Sequence, residues 1–234
     1  MKYPPRISWL LLLVLFSTGC ADPFLYVNQL NPFAQREWSQ DEAYMATHHT
    51  KLESLREAGP KLASYSDTDQ QRWARVLNEI IEHEANPQIR AASVETLAFL
   101  PSQISADGLK TAAKDNSAKV RMAACRAMAT RTGGEAVEVL ATILGSDTNL
   151  DVQLAAAQGL ENFSDRRATE ALGMALDSKN PALQFRATQS LAKTTPVDYG
   201  RDVVAWKQYL NGETPRSRQD HDSFMAKLPF PWRF

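Results

Sequence analysis

The chain has 234 residues, 44% hydrophobic and 23% charged, a balance that supports a real core and excludes global disorder. Its 26 basic and 27 acidic residues give a net charge of −1, so it lacks the basic footprint of a nucleic-acid binder. The first element in chain order is a short apolar run. Lys2 and Arg6 precede it, and Ile7 to Phe16 contains only Ser8 as a polar interruption. About ten apolar residues fall well short of the roughly 20 that a spanning helix needs. With a positive start and small residues behind it, the run reads as the centre of a secretory signal over residues 1–19. Its removal takes Lys2 and Arg6 from the 26 basic residues and leaves 24 against 27 acidic, a net −3.

The run ends in Ser17-Thr18-Gly19-Cys20. This tetrapeptide resembles the lipobox of bacterial lipoproteins, although Ser17 stands where that family usually has Leu or another aliphatic residue. The resemblance implies a diacylglycerol on the Cys20 sulfur and cleavage that makes Cys20 the new N-terminus. Each buried methylene of such a lipid adds roughly 0.8 kcal/mol of membrane affinity. Ala21 rather than Asp follows Cys20, and by the family's sorting rule this favours the outer membrane. The expected location is therefore the bacterial cell envelope, membrane-anchored and facing the periplasm. With Cys20 lipidated, Cys125 has no disulfide partner; its Ala-rich helical surroundings mark it as an inert packed thiol.

Residues 20–40 mix aromatics with Pro and Asn without a period and read as a lipid-anchored tether. From Asp41 the pattern turns helical and is expected to stop at Gly59-Pro60, within an N-terminal helical cap over 41–71. Four segments then align on Ile89, Val120, Val152 and Leu183, at intervals of 31, 32 and 31 residues. A fixed period of this length is the mark of a solenoid. Four residues after each anchor stand Ser93, Ala124, Ala156 and Ala187; eight after it stand Leu97, Met128, Leu160 and Leu191. Anchor, small residue and large residue thus share one helical face. Asn86, Ser117, Asn149 and Asn180, three residues before the anchors, suit the start of this second helix. An amphipathic stretch precedes each turn (RVLNEIIEH, GLKTAAKD, AVEVLATILG and ATEALGMALD), so each repeat reads as helix A, turn, helix B.

These segments resemble HEAT repeats, particularly the short form of bacterial proteins and phycobilisome lyases. Ile89-Arg90 with Ala91-Ala92, and Val120-Arg121 with Ala123-Ala124, carry the likeness. It implies an all-α fold: a right-handed α-solenoid of about four helix pairs over 72–195, with capping helices at both ends. Gln153 and Gln184 replace the Arg after the anchor, and Asn or Ser replaces the Asp before the helix. An Asp–Arg ladder between repeats is accordingly expected to be weak. In the last segment, 196–234, Asp202 is placed to cap a helix whose Val203, Trp206 and Leu210 close the stack, ahead of an aromatic tail containing Phe224, Leu228, Phe230, Trp232 and Phe234.

Glu79 and His83 stand at i,i+4 spacing, but a metal centre needs more ligands, and His48, His49 and His221 do not complete one. No catalytic residue, metal site or cofactor is assigned, since no nucleophile elbow, phosphate loop or Cys cluster occurs. Two rows of helix B remain for partner binding: Met122, Leu154 and Phe185 two residues after the anchor, and Arg126, Gln158 and Gln189 six after it. The alternative for the first row is packing against adjacent repeats. The reading is a non-catalytic interaction scaffold for a protein partner in the envelope, with membrane contact through the lipid and no nucleic acid. The alternative is a HEAT-like enzyme or ligand carrier of the lyase type.

Overall fold

A computed structural model describes residues 47–215. The chain divides into two compact units, Met1–Thr50 and Lys51–Phe234. In the first, the described part is the start of helix α1 (His48–Leu62), where Thr47 Oγ accepts from the Thr50 backbone N–H at 3.3 Å. The signal segment, Cys20, the tether and the aromatic tail lie outside the described residues.

The second unit continues as α2 (Asp67–His83), α3 (Pro87–Leu97), α4 (Ser102–Ala112), α5 (Ala118–Met128), α6 (Gly134–Ser146), α7 (Leu150–Leu160), α8 (Arg166–Ala175), α9 (Pro181–Thr194) and α10 (Val203–Leu210). Every regular element among the described residues is a helix. Helices α2, α4, α6 and α8 are the A helices; α3, α5, α7 and α9 are the B helices and stack in that order. This is an α-solenoid.

The helix starts follow from single residues. Asn86, Asn149 and Asn180 each accept a backbone N–H two positions on, and Pro87 and Pro181 occupy first-turn positions where a missing N–H costs nothing. Ser117 differs, because its side chain makes no cap bond; its own N–H instead donates to Asp115 Oδ1 at 2.7 Å. The expected stop at Gly59-Pro60 is corrected, since α1 runs through both to Leu62. Proline disfavours helix in the residue before it partly by a clash with that residue's Cβ, and Gly59 has none. The glycine serves packing: a Cβ there would come within 2.8 Å of the Phe99 ring. Helix α4 likewise begins six residues ahead of Gly108, which lies inside it where α4 meets α2, with no room for a Cβ against Asn78 and Leu97.

The core runs along the interior of the stack. Val120, Ala124, Val152, Ala156, Ala187, Leu160 and Leu191 are fully buried. Burying each Val or Leu contributes about 1.5–3 kcal/mol, and the small residues let successive B helices approach. Two buried hydroxyls seven residues after their anchors find carbonyls: Thr96 Oγ donates to Leu55 O, and Ser190 Oγ to Ala157 O. The C-terminal end is closed by α10. Asp202 accepts from the N–H groups of Val204 and Ala205, and Trp206 is fully buried with its indole N–H donating to Gly200 O at 3.1 Å. Tyr199 meets the Trp206 ring edge-on at 5.2 Å between centroids. Val203 and Leu210 pack partly buried against the core.

Candidate functional site

The two rows proposed from the B helices separate in the structure. In the first, Ala91 is buried, Met122 and Leu154 are half-buried against the core, and Phe185 is exposed at 37% with the Arg201 guanidinium 4.7 Å above its ring. Packing between repeats therefore accounts for Met122 and Leu154 but leaves Phe185 open. In the second row Glu95, Arg126, Gln158 and Gln189 are all exposed, one per repeat, and Arg126 donates to Glu95 at 3.3 Å. Both rows reach one hollow at the last repeat. Phe185 and Gln189 line a hollow of about 400 Å³ between α9 and the 198–201 turn, bordered by Arg186, Lys193, Glu161 and Asp198.

A second arrangement runs along the N-terminal ends of the B helices. Arg90 donates to both carboxylate oxygens of Asp115 at 2.8 Å, and Arg121 to those of Asp147 at 2.6 and 2.9 Å. The four side chains are nearly buried. Each Arg also donates through Nη1 to two carbonyls of its own turn, Glu84 and Ala85 for Arg90, Asp115 and Asn116 for Arg121. The expected weakness of an Asp–Arg ladder is thus corrected. The carboxylates stand five residues before the anchors, not three, and two rungs are intact. Burial alone would push the Asp115 carboxyl up, but the Arg90 guanidinium and the Ser117 N–H hold it below the usual carboxylate range. At Asp147 the Arg121 guanidinium dominates, opposed by burial and helped by the Asn149 N–H. Gln153 and Gln184 make only the neutral part of the pattern, donating to Asp147 O and Leu176 O.

A third arrangement was absent from the sequence reading. Arg131, in the turn after α5, donates to Leu100 O at 2.7 Å and Leu97 O at 3.2 Å, and Asn162, after α7, donates to Ala129 O. Each turn thereby donates to carbonyls at the C-terminal end of the preceding B helix. Arg131 and Asn162 stand eleven and ten residues after their anchors, and that recurrence of donors is the signal available in the sequence.

Cys125 is fully buried, and burial pushes its thiol up to about 12, which suppresses the reactive thiolate. Glu79 and His83 are exposed on α2, and His83 lies 3.8 Å from the Glu82 carboxylate. Among the described residues no group of three or more His, Cys, Asp or Glu is arranged to hold a metal ion, and no helix is long and apolar enough to cross a membrane. Cys20 and the aromatic residues from Phe224 to Phe234 are outside the described residues.

No curated protein matches the chain. A family model for HEAT repeats matches residues 74–161 and 137–205, together more than half of the chain. The overlapping matches run from within α2 through the rest of the four helix pairs and reach into α10. The chain belongs to the HEAT-repeat family.

Proposed function

We propose that this chain is a lipid-anchored scaffold of a bacterial envelope that holds a protein partner beside a membrane. The observation that carries the reading is the exposed row Glu95, Arg126, Gln158 and Gln189, whose last member lines the hollow that also displays Phe185. An aromatic ring half open to solvent and flanked by charged side chains is the usual composition of a binding anchor. HEAT repeats supply the extended surface that such binding uses. The anchor is read from the short apolar run and from the likeness of Ser17 to Cys20 to a lipobox. Ala21 after the cysteine favours the outer membrane, with the repeats on the periplasmic side.

The experiment is photo-crosslinking in cells from Gln158 and Gln189 of the full chain, followed by recovery from solubilised membranes. One discrete adduct is expected, reduced at least severalfold by Phe185→Ala. Cys20→Ser is expected to move the chain out of the membrane fraction. Absence of any adduct from either position removes the scaffold reading, and an unchanged membrane fraction for Cys20→Ser removes the lipid anchor.

A further inference from the structure

The A layer is not continuous. Helix α2 packs on α4, and α6 on α8, but a groove of about 400 Å³ lies between α4 and α6. The repeat interval containing α6 is the one of 32 residues. Ala113, Ile143 and the half-buried Val139 form the groove's apolar lining, with Thr142 and Ser146 above them. Its two walls carry opposite charge. Lys110 and Lys114 stand at i,i+4 spacing on the α4 side, and Glu135 and Glu138 at i,i+3 spacing on the α6 side. Lys110 and Glu135 pair across one end; Lys114 and Glu138 are exposed along the rest.

We infer that this groove is a docking site for an amphipathic α-helix of a partner protein, with acidic residues along one edge of its apolar stripe and basic residues along the other. Two observations fix the occupant. The apolar lining is confined to Ala113, Val139 and Ile143, with the last two at i,i+4 on α6, a single stripe that suits the ridge of one helix lying between two others. Beyond the Lys110–Glu135 pair, Lys114 and Glu138 leave one exposed charge of opposite sign on each wall, so the two edges of a bound helix meet different charges. Reversing such a helix end to end exchanges its edges, so the walls select the direction in which it lies. A helix with like charges on both edges meets a repelling wall either way. The groove lies between two A helices and the turns that follow them and shares no residue with the Phe185 hollow, so it is independent of the function proposed above.

The test uses the full chain and three synthetic helical peptides with the same leucine stripe. One carries Glu on one edge and Lys on the other, one carries Lys on both, and one carries Glu on both. At low ionic strength the mixed peptide is expected to bind about tenfold tighter than either uniform one, the gap closing in high salt. Hydrogen exchange is expected to slow in α4 and α6. In the Glu135→Lys/Glu138→Lys variant both walls are basic, and the all-Glu peptide is expected to become the tightest, a change of ranking that mere unfolding does not produce. Equal affinities for the three peptides, an unchanged ranking on the variant, or protection of α5 and α7 instead would overturn the inference. So would a concentration-dependent dimer that protects α4 and α6 without peptide.

Discussion

The first three repeats and the last one solve the same joint with different chemistry. At the first two joints an Arg after the anchor reaches forward to a carboxylate in the next repeat, Arg90 to Asp115 and Arg121 to Asp147. At the third joint Gln153 stays within its own turn, and the position in line with Asp115 and Asp147 is Ser178. Arg and Asp are thus both missing from the same rung. What does not change is the turn itself. Glu84, Asp115, Asp147 and Ser178 each accept the backbone N–H two residues on. Closing the turn requires only an acceptor, whereas linking neighbours requires two opposite charges with enough reach.

Four measurements break or sharpen this contrast. The largest expected effect is from Arg121→Ala, which leaves Asp147 buried without its partner; a loss of about 3–5 kcal/mol in urea unfolding is expected. Gln153→Ala, its counterpart at the third joint, is expected to cost only about 1 kcal/mol, the net value of a neutral hydrogen bond. Equal losses would erase the contrast. Acid comes next. Asp115 and Asp147 are held below the ordinary carboxylate value near 3.9, so their contribution is fully present above that value and is lost as the pH falls through the lowered one. Urea midpoints followed from pH 6 to pH 2 are expected to fall less steeply for Asp147→Asn than for the unsubstituted chain, and parallel curves would refute the assignment.

A smaller, constructive effect comes from Gln153→Arg with Ser178→Asp, which supplies both halves of a third rung. A favourable coupling of about 1 kcal/mol is expected in a double-mutant cycle, with neither single change stabilising alone. The smallest effect is at Arg126, whose pair with Glu95 is more than half exposed. Arg126→Ala is expected to shift stability by less than about 0.5 kcal/mol, so a larger loss in thermal unfolding would mean that the exposed row carries structure as well as surface.

Much of the fold was legible because helix B repeats the same residue types on the same face. Anchor, small residue and leucine recur at fixed offsets, and the Asn at the head of three B helices caps by a bond between near neighbours in sequence. The end cap at Asp202 and Trp206 was legible for the same local reason. Gly59-Pro60 misled because its meaning lies in Phe99, forty residues away, against which the glycine packs. The ladder misled because its rungs join residues 25 and 26 apart, and the carboxylate stands outside the helix it serves. Of the candidate surface, exposure at positions six after the anchor followed from helical geometry. The exposure of Phe185 against the half-burial of Met122 and Leu154 did not, since what covers each side chain lies outside its own repeat.

The sequence by itself therefore determined the class of structure, the period, the starts of the B helices and the buried face, all of which depend on contacts within one repeat or on its recurrence. Only the tertiary structure decided which charges pair, where the A layer opens between α4 and α6, and which member of a row faces solvent. Those outcomes depend on distances between neighbouring repeats, and small differences in turn length and side-chain volume shift such distances without altering the pattern within any one repeat.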